Sequence, residues 1–338
     1  MPYSKQLIIG GVILLLILAA VLYIPRTTQE DGRTVITISA PSDGLLAPPL
    51  LRMIDTEPLK EKGIDLEFIS WRSQEQLRAF VLNEQVDILG IHLAGAANFY
   101  NRGIPIRFLG ASLGNVLFVI SRDESISNFS DLEGRRVIIP FKGEYPDIFF
   151  QGLYTAYTEK YPEFSLSVQY AQSSRDAANM MFHGRADAAL IAEPHASILL
   201  ERNKEEYYRS LDFQDVWTEI FDQDHSFPVA GIAALGDTAF NNEVLSLFWE
   251  EYLKAMEWCI THPELAAGLI GNIEDDADAL TGTSRAFERC ARIPVSSNEE
   301  RPHISIYLQI LNEADPELFT GIPENNDFYW NPNYRSTF

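Results

Sequence analysis

The stretch Ser73-Gln-Glu-Gln-Leu-Arg-Ala-Phe-Val-Leu-Asn-Glu-Gln-Val-Asp-Ile-Leu-Gly-Ile91 decides the reading of this chain, because a similar one returns one hundred positions later. The second copy is Ser173-Ser-Arg-Asp-Ala-Ala-Asn-Met-Met-Phe-His-Gly-Arg-Ala-Asp-Ala-Ala-Leu-Ile191. Each reads as a capped helix, a tight turn, an Asp and a buried strand. Leu77, Phe80 and Val81 fall at i, i+3 and i+4, and Ala177, Met180 and Met181 repeat that spacing. Asp87 matches Asp187, and Ile91 matches Ile191. Two similar α/β units predict two similar lobes, and two lobes create a cleft that suits a small ligand.

Working outward, strands and helices alternate. Thr34–Ser39, Leu66–Trp71 and Val86–Ile91 read as strands, followed by Ile106–Leu109 and Val116–Ile120. This order predicts an α/β fold with mostly parallel sheets covered on both faces. A new segment opens near Ser121, with strands expected at the end of Asp131–Pro140, at Leu166–Tyr170 and at Ala188–Ile191. Val229–Ala234 reads as one more strand, and the chain beyond Ala239 as mainly helical with an irregular end from Tyr329. The chain leaves one lobe, builds another and returns. The expected division is therefore 34–120 plus 229–338 for a discontinuous lobe 1 and 121–228 for lobe 2, joined by two hinge strands.

Bulk composition narrows the function. The 338 residues carry a net charge of −22, with 46% hydrophobic and 12% aromatic residues. So acidic a surface repels phosphate backbones, which argues against nucleic acid as a partner. The two cysteines, Cys259 and Cys290, make neither a disulfide scaffold nor a zinc ribbon. A single disulfide and two buried thiols both fit them.

Leu7 to Ile24 is an uncharged run of eighteen apolar or glycine residues, preceded by Lys5 and followed by Pro25-Arg26. It meets the lower length for crossing a bilayer. Small residues Ala19 and Ala20 lie inside the run instead of forming a cleavage site after it. Residues 1–28 therefore read as an uncleaved anchor, with a cleaved signal as the alternative. Either way the body faces the periplasm or the cell exterior.

Three segments carry a family resemblance: Asp131-Leu-Glu-Gly-Arg-Arg-Val137, Gly184-Arg-Ala-Asp-Ala-Ala-Leu-Ile-Ala-Glu-Pro194 and Gly321-Ile-Pro-Glu-Asn-Asn-Asp-Phe-Tyr329. In this order the chain resembles the substrate-binding proteins of ABC importers in the nitrate, sulfonate, taurine and thiamine-precursor group. That resemblance implies the two-lobed type II periplasmic-binding (Venus flytrap) fold, no catalysis, no cofactor, and an ABC permease with its ATPase as partners. There are two departures. A retained N-terminal helix stands where the family has a cleaved signal or lipid anchor. Gly143-Glu-Tyr-Pro-Asp147 replaces the small-residue loop that several members place around an anion.

Ligands of such folds sit beyond the carboxyl ends of the parallel strands. That rule selects Ser42, Asp43 and Gly44, then Trp71, His92, the loop Phe141, Lys142, Glu144 and Tyr145, and finally Glu193 and His195. Trp71, Phe141 and Tyr145 suit stacking on a planar ring. Asp43 and Glu193 suit acceptance from ring nitrogens or an amine, and Lys142 suits a carboxylate. The set favours a heterocyclic or aromatic molecule over an inorganic anion. Glu193 serves equally well as a structural cap of its turn. Two rival functions remain on the sequence: a membrane-tethered sensor for a signalling partner, and a pyrimidine-synthase-like enzyme. No H-E-x-x-H, G-x-S-x-G, P-loop or G-x-G-x-x-G motif is present to support catalysis, and no metal site is expected.

Overall fold

Ser73 and Ser173 do as caps what their positions predict. The Ser73 hydroxyl accepts the Gln76 N–H at 3.2 Å, and the Ser173 hydroxyl accepts the Asp176 N–H at 3.1 Å. Leu77 and Val81 are buried beneath the first helix, and Ala177 and Met181 beneath the second, while Phe80 and Met180 are half-buried. The repeated aspartates are equivalent to the atom. The Asp87 carboxylate accepts the Thr37 N–H at 2.8 Å, while its own N–H donates to the Thr37 carbonyl at 2.8 Å. Asp187 makes the same pair with Arg136, at 2.9 and 3.0 Å. In each unit the Asp clamps the returning chain to the strand beside it.

The computed structural model describes residues 32–221, 227–271, 276–316, 319 and 321–332. The apolar run 7–24 lies outside them, and among the described residues no helix is long and apolar enough to cross a membrane. The first run of elements is β1 (Thr34–Pro41), α1 (Ala47–Thr56), β2 (Ile64–Trp71), α2 (Gln74–Leu82), β3 (Ile88–His92), α3 (Leu93–Asn101) and β4 (Ile106–Leu113). The second is β5 (Leu117–Ser121), β6 (Arg136–Pro140), α4 (Tyr145–Lys160), β7 (Ser167–Ala171), α5 (Ser174–Phe182), β8 (Ala188–Ala192), α6 (His195–Arg202), β9 (Tyr208–Asp212) and α7 (Phe213–Phe221). The chain ends with β10 (Ala230–Leu235), α8 (Asn242–Thr261), α9 (Pro263–Gly268), α10 (Ala277–Cys290) and α11 (Arg301–Ala314).

The strands form two five-stranded sheets of one plan, β2-β1-β3-β10-β4 and β7-β6-β8-β5-β9. The first three strands of each are parallel, and the fourth, β10 or β5, runs antiparallel to both neighbours. That fourth strand is the one by which the chain has just crossed from the other sheet. Residues 117–120, grouped by the sequence reading with lobe 1, are thus hydrogen-bonded into the second sheet. The crossings are stitched together: the Val229 N–H donates to the Leu113 carbonyl at 3.1 Å, and the Glu193 N–H to the Val116 carbonyl at 2.9 Å.

The C-terminal third does not pack as one block. Helix α8 lies on α1, whereas α10 lies on α6 and α11 on α4. Gly282 allows the α10–α6 contact, since a Cβ there would sit 2.7 Å from the Ile198 backbone. Helices drawn from the segment expected in lobe 1 therefore cover the second sheet's helices. The terminal segment, expected to be irregular from Tyr329, is pinned to the β4 edge. The Phe108 N–H donates to the Phe328 carbonyl at 2.8 Å, and the Trp330 N–H to the Phe108 carbonyl at 3.1 Å. Covering that edge removes a row of unpaired backbone groups. Cys259 and Cys290 are both buried free thiols, which settles the choice the sequence left open.

Candidate functional site

The carboxyl ends of the parallel strands of the two sheets face one another: His92 meets Tyr145, and Asp43 meets Arg175 and His195, the place where this topology puts a ligand crevice. The turns that leave β1 and β6 are copies of one another. The Ser42 N–H donates to the Trp71 carbonyl at the end of β2, and the Phe141 N–H donates to the Ala171 carbonyl at the end of β7, each at 3.0 Å. Both turns are tight. A Cβ on Gly44 would lie 2.9 Å from the Pro41 side chain, and Phe141 itself holds φ at +57°, a conformation few non-glycine residues adopt.

Charged side chains gather at the mouth. The Asp43 carboxylate reaches across it to Arg175 Nη2 at 3.5 Å and His195 Nε2 at 3.9 Å. The Asp43 side chain is 56% exposed, so this contact is worth no more than about 1 kcal/mol. Burial pushes the His195 imidazole pKa down, Asp43 pulls it up, and Arg175 and Arg202 push it down again. Glu144, at the N-cap of α4, has its carboxyl raised by burial, opposed by Arg78 and reinforced by Glu75 on α2.

The interior is aromatic and neutral. Trp71 is buried with its Nε1–H unpartnered, and His92 Nδ1 and the Tyr145 hydroxyl are buried without partners as well. The His92 ring, at the end of β3, lies 5.0 Å from that of Tyr145, at the start of α4, so the two sheets meet there. Tyr145 continues into Phe149 at 5.9 Å and Tyr307 at 6.2 Å, and Phe227 closes on Tyr307 at 5.8 Å. Burial drives the His92 pKa down to about 4, only partly opposed by the Val229 backbone, so the ring is neutral near pH 7. A base with a depressed folded-state pKa costs stability where the unfolded chain takes up the proton first. Stability should therefore fall as pH drops from about 6.5 towards 4, by at most about 3 kcal/mol from this residue. His92→Gln should flatten that part of the pH profile in chemical denaturation; an unchanged profile would show that His92 is not its source.

Three of the sequence-selected residues have settings of their own. Glu193 is sealed within the second lobe with no side-chain exposure. It accepts the Ser197 N–H at 2.9 Å and the Ser197 hydroxyl at 2.8 Å, and it pairs with Arg209 at 2.7 Å. Its geometry is that of the structural cap. Lys142 is exposed, with Nζ 4.9 Å above the Tyr170 ring, and Phe141 is half-buried in its strained turn. The sequence missed Arg175 and Tyr307. Arg175 was visible as the cation just after the repeated Ser cap. Tyr307 carries no local signal, because only the packing of α11 on α4 brings it beside Tyr145.

Comparison with known proteins agrees with this architecture. A crystal structure of an ABC transporter from Parabacteroides distasonis superposes with a TM-score of 0.70 at 17% identity, covering 87% of this chain and 98% of that one. The periplasmic aliphatic sulphonate binding protein SsuA from Escherichia coli gives 0.68 at 12% identity, covering 88% and 98%. The ligand-binding component of an ABC-type import system from Staphylococcus aureus, with zinc bound, gives 0.62 at 11% identity, covering 88% and 96%. Identities this low establish the shared fold. A search of curated proteins finds no match to the chain. The profile described as NMT1/THI5 like matches residues 59–266, more than half the chain and most of both sheets. The chain belongs to the NMT1/THI5-like family.

Proposed function

We propose that this protein is an extracytoplasmic solute-binding receptor that captures a small organic molecule between its two lobes and hands it to an ABC importer permease. Residues 7–24 tether it to the membrane in this reading. The observation that carries it is the set of buried polar atoms without hydrogen-bond partners on Trp71 at the end of β2, His92 at the end of β3 and Tyr145 at the start of α4, the last two in ring contact between the sheets. Native proteins leave few such atoms unsatisfied, and a group of them in a cleft calls for a ligand. Ser42, Asp43 and Gly44 line the first-sheet side, and Glu144, Tyr145 and His195 the other. The aromatic lining favours a heterocyclic or aromatic ligand. Binding works by population shift: the ligand contacts both lobes fully only when they are closed, and closure composes the surface the permease reads.

Catalysis is not favoured, because the solved structures the chain resembles are of transporter binding components. Sensing by a partner protein would use the same cleft. The test is a thermal-unfolding screen followed by tryptophan fluorescence, with the full chain in mild detergent. The panel holds heterocycles, aromatic acids, amines, sulfonates and nitrate. A ligand at a hundred times its Kd should stabilise the protein by about 2.7 kcal/mol. A folded protein that responds to none of these classes would count against the receptor.

A further inference from the structure

The second lobe uses up its own anion-binding positions. Helices α4, α5 and α6 each begin at the carboxyl end of a parallel strand, so their positive ends face the cleft. In this fold such termini are the natural seats for an anion. Here each holds a carboxylate of the chain itself. Asp147, buried in the first turn of α4, accepts the Gly143 N–H at 2.8 Å, the Gln151 amide at 3.2 Å and the Tyr170 hydroxyl at 3.3 Å. Asp176 accepts the Gln172 N–H at 3.1 Å beside the start of α5. Glu193 accepts the Ser197 N–H at the start of α6. An anionic ligand would meet like charge at the starts of α4 and α5, while the start of α6 is filled by Glu193, whose charge Arg209 balances.

Among the described residues no cation stands ready inside the cleft to offset that repulsion. Arg175 faces Asp43 at the mouth with its side chain 69% exposed, and Arg78 stands opposite Glu144. Burying a charge without a partner is costly. The unpartnered buried atoms of Trp71, His92, Tyr145 and Tyr307 all belong to neutral groups: the indole N–H, the His92 ring nitrogen and the two hydroxyls. Tyr307 is fully buried, and its hydroxyl and that of Tyr145 are near enough to influence one another's ionisation without a well-formed hydrogen bond. A bond between the two would occupy only one of their two protons. Trp71 and the two tyrosines are each at least nine-tenths buried. Together they offer donors and acceptors suited to the polar edge of a neutral molecule.

We propose that the cleft takes an uncharged ligand whose polar edge is read by the hydroxyls of Tyr145 and Tyr307 together with Trp71 and His92, and that it rejects anions because Asp147, Asp176 and Glu193 already occupy the helix N-termini. The proposal rests on the receptor reading and names the charge class of its ligand. Tyr307, contributed by the C-terminal helix α11, is the specificity position that the strand-end rule does not find.

Two measurements test it. The first needs no ligand. A hydroxyl held for a ligand is unsatisfied in the free protein, so Tyr145→Phe and Tyr307→Phe should leave Tm unchanged or slightly raised. A fall of about 4 °C or more in both would mark the hydroxyls as structural and overturn the assignment. The second titrates matched probes by saturation-transfer NMR: benzamide against benzoate, nicotinamide against nicotinate, and benzenesulfonamide against benzenesulfonate. The uncharged members should bind, and bind about tenfold more weakly to Tyr307→Phe. Preference for the anionic members would overturn the assignment while leaving the receptor standing. Binding by neither member of any pair would overturn the receptor reading itself.

Discussion

Replacing Gly231 by alanine is expected to cost roughly 3 kcal/mol or more, a fall in Tm of the order of ten degrees. The added Cβ would lie 1.9 Å from the Gly110 carbonyl oxygen and 2.7 Å from Ala111 Cα. These are backbone atoms of the adjacent strand β4 and cannot rotate aside. Nor can β4 retreat: a Cβ on Gly110 would lie 2.3 Å from the Val295 carbonyl and 2.6 Å from the Trp249 ring. The pairing of β10 with β4 shifts register at Gly231, which brings the two strands together at that point. Because β10 is the strand by which the chain returns from the second sheet, the damage should reach the join between the lobes. Gly268→Ala is the control, since nothing lies within 4 Å of a Cβ there. Thermal unfolding of both variants decides the matter, and equal Tm values for the two would refute this account of the β10–β4 contact.

The second large effect is expected at Glu193. Truncation to alanine should cost about 3–5 kcal/mol, because it leaves the largely buried Arg209 guanidinium without its carboxylate. Arg209 Nη1 is already unpartnered, so the site has no spare acceptor to offer. Replacing both partners together, as in Glu193→Gln with Arg209→Met, should recover part of the loss, as expected for a coupled buried pair. Urea titration of the single and double variants reads this directly. A Glu193→Ala protein of wild-type stability that had lost only ligand affinity would return Glu193 to the binding site.

Glu193 also illustrates how far the sequence reached. Its place after a parallel strand was legible, and that place selects ligand-binding residues as a class. Whether the side chain turns outward to the cleft or inward to a cap depends on Arg209 and Ser197, and only folding brings Arg209 to it. Asp43 was legible by the same rule. Its partners Arg175 and His195 are far away in sequence, so the cross-cleft contact was not.

The repeat at Ser73 and Ser173, the matching aspartates and the alternation of strands and helices settled the two-lobed α/β plan from sequence alone, because caps, turns and hydrophobic period are local properties of the chain. The same local signals could not say that β5 belongs to the second sheet, since a short apolar strand fits the fourth position of either one and hydrogen bonding makes the choice. They could not say that α10 and α11 cover the second lobe, because an amphipathic helix shows only that one face is buried, not what buries it. Tyr307 follows from that packing. Its sequence neighbours mark it as an ordinary core residue, and tertiary structure alone sets its hydroxyl beside that of Tyr145.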